Sequence, residues 1–305
     1  PTAHAACAAE RAGGYVLGGT AWDLMNRRRV AAGQLDLLVV EEAGQFSLAN
    51  TIAVAGSAAR ILLLGDPQQL PQVSQGTHPA PVDGSALGHL IGEASVLPAE
   101  HGYFLAESRR MDAAVAEPVS RLSYDGRLHA HASTRGRDLA GVAPGLHPVP
   151  VAHAGNATAS PEEAAVVVDL ARRHLELPWI AAAGAAPRPT SQDDVIVVTP
   201  YNAQVELIRG SLDAAGLHRV EVGTVDRFQG REAVIAIVSL AASSAAEVPR
   251  GIDFLLSRNR LNVSISRAKW AAYLVHSPGL LDHLPRTAEG LATLSRFIRL
   301  VSPGP

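Results

Sequence analysis

The stretch LDLLVVEEAGQ, residues 35–45, decides the fold. Its apolar run, broken only by Asp36, stops at two adjacent carboxylates, Glu41 and Glu42. A run of this kind fits a strand buried on both faces of a parallel sheet. The end of such a strand is where an open α/β sheet receives its ligands. Two neighbouring acids there cost desolvation energy unless a cation or a reaction uses them. The plainer alternative is a strand end with two solvated acids.

Other runs end in the same way. YVLGGT (15–20) closes on Thr20, RILLLG (60–65) on Asp66, residues 195–198 on Thr199, and AVIAIVSL (233–240) carries Ser239 near its end. Shorter strands are expected at 149–153, 220–224 and 271–276. Helices are expected between them, over 21–29, 47–58, 85–91, 113–124, 160–175, 202–215 and 259–269. Strands alternating with helices predict an α/β fold with doubly wound parallel sheets. The pattern breaks at 97–103, which predicts a first lobe over 1–97, a second over 98–305 and a cleft between them. Hydroxyls and carboxylates at the strand ends suit phosphate and Mg²⁺, a cation that takes hard oxygen ligands and keeps several waters.

Composition narrows the class. The chain has 305 residues, 47% of them hydrophobic, enough for two packed domains. Cys7 is the single cysteine, which excludes an internal disulfide and fits a reducing compartment. The first residues do not read as a signal peptide, and no apolar run approaches a membrane span. A cytoplasmic location without membrane contact is therefore expected. A net charge of −3 leaves room for a local basic groove but not for wholesale coating of nucleic acid. Lys269 is the only lysine. His129 and His131 do not have the spacing of a closed zinc site and read as loop residues.

Six stretches then fall in order: EEAGQ, GDPQQLP, SRRM, TPYNAQ, VGTVDRFQGRE and LNVSISRAK. In that order they resemble motifs II, III, IV, IVa, V and VI of superfamily 1 helicases. The branch is that of the nonsense-mediated-decay and DNA-replication helicases. Within it, the chain is similar to the helicase half of bacterial proteins with a RecB-like nuclease ahead of the helicase. The resemblance runs over about residues 18–275. It implies tandem RecA-like lobes, ATP and Mg²⁺ as ligands, and a single-stranded partner, DNA with RNA as the alternative. It also implies movement 5′ to 3′, with DNA repair as the setting. Carried over by position, Glu41 helps hold Mg²⁺ and Glu42 orients the attacking water. Gln45 and Gln69 sense the γ-phosphate, with Asp66 supporting them. Arg110 and Arg267 are the arginine fingers, Arg109 lies at the base, and Gln229, Gly230 and Glu232 bind the nucleotide, Glu232 near its ribose. Thr20, Thr199, Tyr201 and Thr224 face the nucleic-acid backbone. Structural alternatives remain, above all a helix cap at Thr20 and a packing role for Tyr201.

The pattern departs from the family at four points. Glu41 stands where Asp is usual, Arg109 where an aromatic is usual, and Lys269 where Arg is frequent. The fourth matters most. A P-loop needs GxxxxGK[ST] to cradle phosphates, and this chain has no Gly-Lys pair. The expectation is a first lobe without its phosphate-binding half, a C-terminal piece of a helicase that does not hydrolyse ATP alone. An upstream P-loop segment and a RecB-like nuclease would then belong to the same parent. The rival expectation is a nucleic-acid-binding or interaction module that has lost catalysis. A nuclease is disfavoured, since no separate acid cluster with a lysine is present.

Overall fold

The computed structural model describes residues 13–71, 76, 78–92 and 94–302. Cys7 lies outside the described residues. The chain divides into two compact units, one ending at Tyr103 and the other starting at Phe104.

The first unit contains α1 (Ala21–Met25), β1 (Leu38–Val40), α2 (Leu48–Ala55), β2 (Ile61–Leu63) and α3 (Ala86–Ile91). Two of its helices start on serine caps. Ser47 Oγ accepts from Asn50 N at 3.1 Å and Ser85 Oγ from Gly88 N at 2.9 Å. Each satisfies a backbone donor that the first helical turn leaves unpaired. Strands β1 and β2 pair in parallel, Val39 opposite Leu62. Leu38, Val40, Ala43, Val54, Leu87 and Ile91 form the core, with Leu24, Phe46 and Leu63 packed against it.

This unit corrects four expectations. The strand at 35–40 is short and buried on one face only, because α2 and α3 pack on the side of Leu38 and Val40. Leu37, Val39, Leu62 and Leu64, on the other face, are 42–46% exposed. The run 60–65 likewise gives only the three-residue β2, which is largely exposed. Residues 15–20 form no strand. The helix expected over 21–29 ends at Met25, because Asn26 turns extended and its Oδ1 accepts from Arg28 N at 3.0 Å.

The second unit is built around a parallel five-stranded sheet. In chain order its elements are β3 (Glu107–Ser108), α4 (Ala113–Ser123), β4 (His129–Ala130), β5 (Asp138–Leu139), β6 (Gly145–Pro150) and α5 (Pro161–Arg173). Then follow β7 (Pro178–Ile180), β8 (Arg188–Pro189), β9 (Val195–Thr199), α6 (Asn202–Ala214), β10 (Glu221–Thr224) and β11 (Ala233–Ser239). Last come α7 (Ile252–Leu255), α8 (Arg258–Ile265), β12 (Ala268–His276) and α9 (Ala288–Val301). The main sheet runs β10-β9-β11-β12-β6, all neighbours parallel. Every residue of β9 and β11 is buried, as apolar strands covered on both faces must be. Val195, Val197, Ile235 and Ile237 face one way, into a core with Val167, Leu170, Ile208 and Leu212 from α5 and α6. Helices α4 and α8 pack together and against β12. Helix α5 begins as its sequence reads, with Ser160 as cap, Pro161 at the first position and two acids in the first turn.

The α/β class with parallel sheets is thus observed. The helix expected over 259–269 stops at Ile265, since Ala268 already pairs with Ala233 in the sheet. The strand expected at 149–153 lies earlier, over β6. Helix α9 adds an apolar stripe, Leu294, Phe297 and Leu300, that the motif reading did not cover.

Candidate functional site

In the first unit two loops lock backbone to backbone. Glu41 and Glu42 follow β1 and are exposed. Glu42 has φ 51°, in the left-handed region. Gln45 N returns to Glu42 O at 2.7 Å and closes the turn. A Cβ at Gly44 would stand 2.4 Å from Asp66 O, and one at Gly65 would stand 2.6 Å from Ala43 N. Only glycine allows that approach, which is why EEAG and GDPQ each carry one. Ala43 N donates to Leu64 O at 2.8 Å across the same junction. The lock brings Asp66 beside the acid pair. Asp66 Oδ1 accepts from Gln68 N at 2.9 Å, so it also shapes its own loop. Gln68, not Gln69, is the buried amide, its Nε2 donating to Ser95 O at 2.9 Å. Gln69 is half-buried, and Gln45 Nε2 is buried without a hydrogen-bond partner. Thr20 caps α1, its backbone N and Oγ1 bonding Asp23 Oδ2 at 3.0 and 2.7 Å.

In the second unit the charged motif residues gather at the amino ends of β11 and β12, not at strand carboxyl ends. Glu232 bridges two cations. Its Oε2 lies 2.9 Å from Arg110 Nε and its Oε1 lies 2.9 Å from Lys269 Nζ. Burial pushes the Glu232 carboxyl up, but Lys269 and Arg110 outweigh it and hold the group below the usual carboxylate range. The three groups leave one net positive charge, half open to solvent. Arg110 also donates from Nη1 to Ser266 O at 3.3 Å. Ser108 Oγ accepts from Arg110 N and Met111 N, each at 3.3 Å, and so shapes the SRRM turn. Arg109 is exposed. Gly230 has φ 75°, and the neighbouring Gln229 Nε2 is buried without a partner.

Arg267 is 1% exposed. It donates from Nε to Val263 O at 2.9 Å and from Nη1 to Phe228 O and Arg231 O at 3.3 and 3.2 Å. In this conformation it ties the motif V turn to α8 instead of presenting its charge. Arg137, which the sequence reading missed, clamps the motif from behind. It donates to Arg110 O at 2.5 Å, Arg109 O at 3.1 Å and Ala181 O at 3.2 Å. Burial lowers its pKa, and nearby Asp112 and Glu232 oppose the shift. It sits in a stretch without periodicity, so no sequence signal marked it.

The carboxyl edge of the same sheet holds the hydroxyls. Thr199 and Thr224 are register partners on β9 and β10. Thr199 is fully buried, its Oγ1 unpartnered, and it faces a cavity of about 10 Å³ shared with Val225, Arg260 and Ser264. That space takes one water at most, so a phosphate does not reach Thr199 here. Tyr201 is buried and packs on Phe254, with ring centroids 6.0 Å apart. Burial raises its pKa, opposed by Arg250 and Arg260. Thr224 is half-buried and starts the turn that leads to Phe228.

A model of the AAA domain family matches residues 85–278. The chain belongs to that family. Curated relatives include proteins described as ATP-dependent helicases. The chain is 30% identical over 249 residues to the DNA-binding protein SMUBP-2 of Rattus norvegicus, covering 77% of this chain and 24% of the relative. It is 27% identical over 247 residues to the DNA replication ATP-dependent helicase/nuclease DNA2 of Gallus gallus, covering 79% and 23%. The regulator of nonsense transcripts 1 of Dictyostelium discoideum is 27% identical over 267 residues, covering 81% and 19%. The chain thus spans about a quarter or less of the curated relatives it matches. Among solved structures, an Arterivirus nonstructural protein 10 (helicase) with DNA aligns with TM-score 0.39 and 15% identity, over 79% of this chain and 39% of that one. No helix among the described residues is long and apolar enough to cross a membrane.

Proposed function

We propose that the chain is the motor portion of an ATP-dependent helicase that translocates 5′ to 3′ on single-stranded DNA. The observation that carries this reading is the pair Arg110 and Lys269 held on Glu232, within the residues that the AAA domain family matches; the first unit separately presents Glu41 and Glu42 beyond β1. Phosphoryl transfer needs little covalent chemistry from a protein. It needs cations where charge develops on the transferred group and a residue that positions water. Arg110 and Lys269 supply the first, and Glu42 the second. Gln45, Gln69 and Asp66 couple the acid turn to its neighbouring loop. Gln229, Gly230 and Glu232 line the nucleotide, and Arg109 stacks on its base through a planar guanidinium. Thr224 meets the strand, with Thr199 and Tyr201 forming the floor beneath it.

ATP with Mg²⁺ fits these residues in part. Magnesium keeps waters and phosphate oxygens, so a single carboxylate such as Glu41 suffices. Among the described residues no three metal-ligating side chains gather. The Gly-Lys pair that cradles phosphates is missing from the sequence. The chain alone is therefore expected not to hydrolyse ATP, and hydrolysis requires a phosphate loop from outside these residues. A second reading, a nucleic-acid-binding module without catalysis, is favoured by the buried state of Arg267.

The test is ATP turnover by the chain alone and by a form extended to carry a phosphate loop, with single-stranded DNA, with RNA and with neither. The motor reading expects silence from the chain alone. It expects DNA-stimulated turnover from the extended form, abolished by Glu42→Gln. Turnover by the chain alone would refute its inactivity. No turnover by the extended form with either strand would refute the motor and leave the binding module.

A further inference from the structure

The carboxyl edge of the second unit carries an arrangement that none of the motif roles uses. The ring of Phe254, on α7, has two guanidinium groups over it. Arg250 Cζ lies 3.9 Å from its centroid and Arg260 Cζ lies 4.1 Å. Both distances are well within cation–π range. The two arginines come from different segments, the loop before α7 and the first turn of α8, so the ring holds together charges that would otherwise separate. Compensation is thin. Among the described residues no carboxylate pairs with Arg250, and Asp226 stands 4.0 Å from Arg260 Nη1, at the limit of an ion pair. Burial lowers the pKa of Arg260, Asp226 opposes the shift, and the charge of Arg250 lowers it further. An anion arriving between the guanidinium groups would relieve that repulsion.

The position says which anion. Arg260 lines the small cavity with Thr199 and Val225, Asp226 belongs to the turn after Thr224, and Tyr201 packs on Phe254. The pair therefore stands at the edge where the strand hydroxyls lie, but outward of them. Thr199 is sealed, while Arg250 is exposed and Arg260 half-buried.

We propose that Arg250 and Arg260, held over Phe254, form a clamp for backbone phosphates of a single strand. This rests on the reading of the chain as a single-strand binder. The charged contact then comes from two arginines outside the motif hydroxyls, and Phe254 acts as the platform that positions them. Guanidinium planes also stack on bases without selecting among them, so the clamp does not read sequence.

The test is fluorescence anisotropy of a labelled oligothymidylate against the full chain over a salt series. Each neutralised phosphate contributes about 0.7 to the slope of log affinity against log salt for single strands. Arg250→Ala and Arg260→Ala are each expected to weaken binding roughly tenfold and to reduce that slope by about 0.7. Phe254→Ala is expected to weaken binding with most of the slope retained, since the charges stay. Arg250→Glu, an exposed substitution that the fold tolerates, is expected to weaken it further than Arg250→Ala. Arg172→Ala, exposed on α5, is the control and is expected to change nothing. Wild-type binding with an unchanged slope in all the Arg250 and Arg260 variants would overturn the clamp and leave the single-strand reading intact. No wild-type binding would overturn both.

Discussion

At the scale of the residue, Glu42 is the most telling position. Among the described residues of the first unit it is the only non-glycine with positive φ. A side chain there costs about 1–2 kcal/mol, because Cβ crowds the following carbonyl. Such strain persists where the surroundings impose it, and here the lock of Gly44 and Gly65 does so. Glu42→Gly is therefore expected to leave the first unit as stable as before, or to stabilise it by up to about 1 kcal/mol, while removing any role in hydrolysis. Amide hydrogen exchange within residues 38–55 would measure this. A loss of protection larger than about 1 kcal/mol would show that the backbone is not strained. The sequence made Glu42 visible as a carboxylate at a strand end. It did not reveal the left-handed turn, because nothing in EEAG alone says that a second loop closes against it. Arg267 is the converse. Its type and motif were plain in ISRAK, but its burial depends on carbonyls of Val263, Phe228 and Arg231 that only the fold assembles.

At the scale of the element, a buried polar network fixes the end of β11. Glu163 is fully buried and accepts from Ser239 Oγ at 2.7 Å and Ala241 N at 2.9 Å. Its other oxygen lies 3.1 Å from His153 Nε2, and His153 Nδ1 lies 2.7 Å from Ser243 Oγ. Gln204 on α6 joins through Nε2 to Ser239 Oγ at 2.9 Å. Ala241 has φ 65°, and Ala242 N closes back on Leu240 O at 2.8 Å, so Glu163 also holds a strained turn. Removing one partner of such a set strands the rest without water. Glu163→Ala is expected to cost about 3–5 kcal/mol and Ser243→Ala only about 1 kcal/mol, read by urea unfolding. A loss below about 1 kcal/mol for Glu163→Ala would mean that the network is not holding the strand end. This network explains part of what pattern reading could and could not supply. Ser160-Pro161-Glu162-Glu163 was legible as a helix start, since cap, proline and acids act locally. That Glu163 points inward was not legible, since its partners lie 76 and 78 residues away. Strands β9 and β11 were legible because burial on both faces leaves a continuous apolar run. Strand β1 gave a similar run but is covered on one face only, and composition alone does not distinguish the two cases.

At the scale of the molecule, the second unit carries a built-in acid sensitivity. His174 is buried, with Nδ1 2.7 Å from Leu170 O and Nε2 2.7 Å from Tyr273 Oη. Burial lowers its pKa, the Leu170 carbonyl opposes the shift, and the charges of His147 and Arg173 add to it. His276, on the last strand, is also lowered by burial, opposed by Ser277 O and by Glu163. Both histidines are therefore held neutral in the fold but gain a proton in the unfolded chain near pH 6.5. The unfolded state binds more protons below that pH, so stability is complete above it and is lost as the pH falls. Each histidine contributes a slope of at most about 1.4 kcal/mol per pH unit. The acids that are lowered in the fold act in a separate window. At Asp194 burial raises the pKa but Arg188 and Ser191 outweigh it, and at Glu232 Lys269 and Arg110 do the same. Their stabilisation is lost only below the ordinary carboxylate range, near pH 4. Thermal unfolding is thus expected to shift to lower temperature between pH 7 and pH 5. His174→Gln and His276→Gln together are expected to flatten that part of the profile while leaving the decline near pH 4 in place. An unchanged slope between pH 7 and pH 5 in the double variant would show that the two histidines are not the groups that titrate there.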